Sequence, residues 1–111
     1  MPMSVVDEKA EPETASLELA RVLHALSDPV RLDLVRQLES ADECRCGTFA
    51  APVSKSTLSH HLKVLREAGV TRTRRAGTTR FVSLRRDDLD ARFPGLMAAV
   101  LTAPPAAPAA P

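Results

Sequence analysis

Three sets of side chains could carry chemistry: the thiols of Cys44 and Cys46 on either side of Arg45, the run Ser59-His60-His61, and a concentration of cations between residues 54 and 86. Thiolates at i and i+2 are donors for soft metal ions and can also be oxidised, and Arg45 between them favours the thiolate. Two sulfurs leave a metal's coordination incomplete unless His24 or another subunit contributes. A disulfide between residues so close is strained, and a reducing cytosol works against one. Three readings therefore stand side by side: a soft-metal or metalloid site, a redox pair, or cysteines with no sensing role. Serine next to histidine suggests a nucleophile and its base. Adjacent helical residues point about a hundred degrees apart, however, and no glycine-rich elbow precedes Ser59. The sequence reads as a non-enzyme.

The cations are the strongest of the three signals. Residues 54–86 hold Lys55, Lys63, Arg66, Arg72, Arg74, Arg75, Arg80, Arg85 and Arg86 against Glu67 alone, a net +8. The rest of the chain carries −7, so the overall +1 conceals a polyanion-binding segment. A solvated charged surface, or a basic face for an acidic protein partner, is the competing reading.

The elements that must position these residues follow from periodicity and caps. Leu17, Ala20, Leu23 and His24 predict a first helix from Thr14 or Ser16 to about Leu26. Asp28-Pro29 opens a second, with Val30, Leu34, Val35 and Leu38 as its buried stripe. Residues 40–53 show weak periodicity and predict only a short helix or turn near Phe49. A third helix begins at Ser54. It has Leu58, His61, Leu62, Leu65 and Ala68 on one face, Lys55, Ser56, Ser59, His60 and Lys63 on the other, and Gly69 as a left-handed stop. The period then changes to two. Val70–Arg75 and Thr79–Leu84 flank Ala76-Gly77-Thr78 as a basic hairpin. A helix restarts at Asp87 or Asp88, and Pro94-Gly95 interrupts it before a last apolar stripe of Leu96, Met97, Val100 and Leu101.

Length and composition bound the rest. Of 111 residues, 1–13 are acidic and poor in large apolar side chains, and 102–111 read TAPPAAPAAP, so both ends are expected to be disordered. One domain over residues 14–101 remains, with three Phe and neither Trp nor Tyr. That is a small apolar supply, which a homodimer would supplement through the Leu17/Leu23 and Leu96/Met97/Val100 stripes. No apolar run of membrane-spanning length and no signal peptide is present, so a cytoplasmic location is expected.

Helix, turn, polar-faced helix and basic hairpin together form an arrangement in which one helix enters the major groove and the ribbon tracks the neighbouring backbone. Lys55, Ser56, Thr57, Ser59, His60 and Lys63 on the helix, and Arg72, Arg74, Arg75 and Arg80 on the ribbon, are the candidate contacts to double-stranded DNA. The segments ALSDPVRLDLVRQL at 25–38, SKSTLSHHLKVLREAGV at 54–70 and RRAGTTRFVSL at 74–84 resemble the ArsR/SmtB family of winged-helix repressors. The resemblance implies a mainly α fold with a β-hairpin wing, a winged helix-turn-helix dimerising through its first and last helices. It also implies a recognition helix at Ser54–Ala68, an inverted-repeat operator and an inducer that weakens operator binding. His61, on the apolar side, reads as structural. Members that sense metal with the last helix place Asp, His and Glu pairs there, whereas residues 89–111 contain neither His nor Cys. Cys44 and Cys46 match a second site of the family, a Cys-x-Cys pair at the start of the helix before the recognition helix, which takes arsenite or soft divalent metal ions. The segment from this pair to Ser54 is one residue shorter than usual.

Overall fold

A computed structural model describes residues 11–104, so the disorder expected for 1–10 and 105–111 lies outside the described residues. The elements run α1 (Leu19–Ala25), α2 (Pro29–Glu39), β1 (Cys44–Arg45), α3 (Lys55–Ala68), β2 (Thr71–Ala76), β3 (Thr79–Leu84), α4 (Arg86–Arg92) and α5 (Leu96–Thr102), with single 3-10 turns at Thr14–Ser16 and Cys46–Thr48.

The caps explain where the two long helices begin and end. Asp28 accepts hydrogen bonds from the backbone N–H groups of Val30 at 2.8 Å and Arg31 at 3.2 Å, and Pro29 follows as the first helical residue. Ser54 Oγ accepts from Thr57 N at 3.2 Å to open α3. Gly69, at φ 88°, closes it, with Gly69 N donating to Arg66 O and Val70 N to Leu65 O. A Cβ at residue 69 would overlap the buried Leu17 side chain, so packing as well as backbone geometry requires glycine here.

The core is built by Leu17, Val22, Leu34, Val35, Leu62, Leu65, Val70, Leu89 and Met97. α1 and α2 both pack on α3, which in turn packs on β2, so the helix with the exposed polar face is clamped from three directions. β2 and β3 are antiparallel, with Thr71 opposite Leu84 and Ala76 opposite Thr79. The loop is thus Gly77-Thr78, one residue shorter than the sequence suggests, and Gly77 supplies the positive φ of 64°.

Several expectations need correction. The first helix is interrupted: a 3-10 turn at Thr14–Ser16 is followed by extended backbone at Leu17, and α1 proper begins at Leu19. Residues 11–13, assigned by composition to a disordered end, are held in place. Glu11 accepts from the N–H of Thr73 on β2, an edge strand, at 2.6 Å, and Pro12 O accepts from Arg85 at 2.7 Å. Between residues 40 and 53 the chain forms β1, which adds to the outer side of β3 in the order β1-β3-β2, and then the Cys46–Thr48 turn. The cysteines thus lie on a strand end and a single turn rather than at the start of a helix. Gln37 on α2 anchors the following loop, donating to Ala50 O at 2.7 Å and accepting from Ala50 N at 3.2 Å. Finally, Leu17 and Met97 are 1% and 0% exposed within one chain, so neither is available to a partner, whereas Leu19 and Leu23 are 47% and 45% exposed.

Candidate nucleic-acid interface

α3 presents two chemically distinct faces. His61, Leu62, Leu65 and Ala68 are buried, while Lys55, Ser56, Thr57, Ser59, His60 and Lys63 are all exposed. All six helix residues expected to meet DNA therefore share one solvent-facing surface. At its first turn the Ser54 hydroxyl donates to Thr57 Oγ1 at 3.0 Å and lies 3.2 Å from Ser56 Oγ, a short hydroxyl cluster at the end where the helix dipole favours anions.

The buried face explains His61. Its Nδ1 lies 3.0 Å from Arg31 Nη1, a donor, so Nδ1 is the acceptor and the ring proton sits on Nε2. Arg31, itself buried, also donates through Nε to Ala25 O at 2.6 Å and through Nη2 to His24 O at 3.3 Å. One guanidinium thus closes the C-terminal end of α1 and ties it to the middle of α3. Sequence reasoning gave Arg31 no role. The available signal was a cation placed three residues after a helix cap, beside the end of the preceding helix. Ser59 and His60 are exposed while His61 faces Arg31, so no serine–histidine dyad forms.

The ribbon arginines divide into groups that the sequence did not distinguish. Arg74 donates to both carboxylate oxygens of Glu43 at 2.9 and 3.0 Å and lies 4.6 Å over the Phe81 ring. Hydrogen bonding from Arg74 holds the Glu43 carboxyl below the usual carboxylate range. Arg72 pairs with Asp88 at 3.0 Å. The same Asp88 oxygen accepts from the nearly buried Arg85 at 2.9 Å, whose bond holds the Asp88 carboxyl low. Arg75 is exposed on β2. The side chain of Arg80, exposed on β3, makes no hydrogen bond or ion pair with the described residues and lines a cavity it shares with Cys46.

Cys46 is half-buried and packs against the core, and burial pushes its thiol pKa up, against the opposing pull of Arg80 and Arg66. This reverses the expectation that a neighbouring Arg45 favours thiolate, because desolvation outweighs the cations that reach the sulfur. His24, considered as a further ligand, is on α1 beside Val64, Glu67 and Ala68, away from the cavity that Cys46 lines. Among the described residues no three His, Cys, Asp or Glu side chains come together as a metal-binding group. Nor is any helix there long and apolar enough to cross a membrane.

With this geometry in place, comparison with known proteins assigns the chain. The profile of a helix-turn-helix domain family matches residues 26–74, from the end of α1 to the middle of β2. Over 81 residues the chain is 42% identical to YceK, an uncharacterized HTH-type transcriptional regulator of Bacillus subtilis (strain 168), covering 70% of this chain and 81% of that protein. It is 35% identical over 74 residues to the arsenical resistance operon repressor of Staphylococcus xylosus, covering 66% of this chain and 71% of that one. The crystal structure of the transcriptional repressor BigR from Xylella fastidiosa superposes with a TM-score of 0.56 at 31% identity, across 84% of this chain and 97% of that one. The chain belongs to the ArsR/SmtB family of DNA-binding, winged helix-turn-helix transcriptional repressors and is not an enzyme.

Proposed function

We propose that the protein acts in the cytoplasm as a homodimeric repressor that sets one α3 helix of each subunit into successive major grooves of an inverted-repeat operator. The observation that carries this reading is the α3 surface itself, where Lys55, Ser56, Thr57, Ser59, His60 and Lys63 are all exposed on a helix locked to the core by the opposite face. Ser59, His60 and Lys63 reach base edges, the hydroxyls of the first turn meet phosphate, and Arg75 and Arg80 on the wing follow the neighbouring backbone. Arg72 and Arg74 join them by exchanging Asp88 and Glu43 for phosphate, a modest demand because both pairs are solvent-exposed. Leu19 and Leu23 on α1 and the half-buried Leu96, Val100 and Leu101 on α5 form the apolar surface for the second copy.

The Staphylococcus relative, named for arsenical resistance, supports arsenite or a soft divalent ion as the inducer, with Cys44 and Cys46 as donors. The pair supplies two sulfurs, so the remaining ligands come from the other subunit or from solution. Thiol oxidation would use the same side chains. Footprinting on the DNA upstream of the protein's own gene tests the principal reading. Two protected half-sites, with centres roughly 34 Å apart or a multiple of it, are expected. A single undivided site, or sedimentation as a concentration-independent monomer, refutes the dimeric arrangement. Operator binding by the parent and by Cys44→Ser/Cys46→Ser, each with arsenite, cadmium, zinc and peroxide, tests the inducer. Identical responses of the two proteins remove the cysteines from the mechanism.

A further inference from the structure

Between the inner face of the wing, the loop that follows β1 and the flank of α3 lies a cavity of about 480 Å³. Phe49, Leu58, Leu62 and Val82 give it an apolar side, Lys55, Ser59 and Thr73 add polar groups at its edge, and none of its lining residues is Asp or Glu. Two guanidinium groups enter it from different elements, Arg66 from α3 and Arg80 from β3. Arg66 Nε is a buried donor with no partner among the described residues. Both arginines line this cavity together with Cys46, whose thiol is pushed toward its neutral form by burial and so adds no negative charge to balance them.

An unpaired buried guanidinium N–H is costly, and a cavity of this size with an apolar side and a few polar groups falls in the range of small-molecule sites. We propose that the cavity binds a small organic acid with an apolar body, its carboxylate held between Arg66 and Arg80 and its body packed against Phe49, Leu58 and Leu62. The carboxylate supplies acceptors to both arginines in a charge-assisted pair. Inorganic phosphate would satisfy the cations and leave the apolar walls uncovered. Resting on the DNA-binding reading above, the site also has a regulatory consequence. An acid on Arg80 withdraws that residue from the DNA backbone and fixes the spacing between wing and α3, so the ligand prefers the DNA-free state and lowers operator affinity.

The chain has neither Trp nor Tyr, so the fluorescence of 2-naphthoate can be read against little protein background. Titrating the full-length protein into 2-naphthoate without DNA should give saturable polarization. Binding should fall about tenfold or more in Arg66→Gln and in Arg80→Gln, as expected for loss of a charge-assisted hydrogen bond. The neutral 2-naphthamide should bind the unaltered protein about tenfold more weakly, a comparison that needs no variant to fold. Absence of saturable binding, equal binding of acid and amide, or displacement by phosphate as effective as by benzoate overturns the proposal. In a second arm, saturating 2-naphthoate should weaken operator binding by the parent and not by Arg66→Gln, and an unchanged parent affinity refutes the regulatory part. If the protein bound no duplex at all, the DNA-binding reading would fall, while the titration without DNA would still decide the site.

Discussion

Replacing Arg31 by Met should destabilise the domain by about 2–4 kcal/mol, through loss of the polar tie between α1 and α3. Methionine retains much of the apolar stem and removes three donors. One of the three acceptors is little affected, because His24 O also receives Ser27 Oγ at 2.7 Å and Ser27 N at 3.1 Å. The other two, Ala25 O and His61 Nδ1, lose buried partners, each at about 1–3 kcal/mol. Removing a buried cation returns part of this by relieving its desolvation, which places the total in the lower part of the summed range. Denaturant unfolding followed by far-UV circular dichroism, at one fixed protein concentration so that any self-association contributes equally to every variant, gives the measurement. His61→Leu should also destabilise, since it leaves Arg31 Nη1 buried without an acceptor. The double variant should lose less than the sum of the two, with a coupling of about 0.5–3 kcal/mol. A cost for Arg31→Met below about 1 kcal/mol, or strict additivity in the double variant, would show that the contact does not hold α3 in place.

Gly69→Ala should cost about 2–4 kcal/mol by the same assay, combining a positive-φ penalty with overpacking against Leu17, and a loss below about 0.5 kcal/mol would contradict the close approach. On DNA, Arg80→Ala should weaken binding to any duplex alike and reduce the log–log salt slope by roughly 0.9, whereas Lys55→Ala or His60→Ala should alter sequence preference at roughly 1–3 kcal/mol, as measured by competition anisotropy. A specificity change from the wing variant with none from the helix variants would reverse the assignment. Glu43→Gln releases Arg74 and removes a negative charge from beside the wing, so duplex affinity should rise, most at low salt; an unchanged affinity would show that Arg74 takes no part. The pKa of Asp88 is lower in the fold than its ordinary 3.8, so its contribution to stability is present above that value and is lost as pH falls through the folded pKa. Asp88→Asn should therefore be less stable than the parent near neutrality, with the gap closing under acid, and a gap that persisted there would mean that the carboxylate charge is not what Arg85 requires.

Much of the fold was legible because its determinants are local. A helix from Asp28-Pro29, another from Ser54 to Gly69 and a hairpin at Gly77 each follow from a cap, a stop or a turn residue next to a clear period, and the polar face of α3 follows from the same period. The exposed polar face that we propose meets DNA was therefore visible in the chain itself, along with the basic charge of the wing. What the tertiary structure decided was every relation between distant residues. A two-residue strand has no period to detect, so β1 exists only because β3 is there to pair with it. Leu17 and Leu19 are equally apolar in sequence, and the break after the Thr14–Ser16 turn sends one into the core and leaves the other outside. Arg72, Arg74 and Arg80 are alike as cations on a ribbon, and they differ in the fold because Asp88 and Glu43 reach the first two while the third faces a cavity with Arg66. Local patterns record how a segment folds on its own backbone; partners, burial and convergence of charge depend on which segments pack together, and that is set only when the whole domain closes.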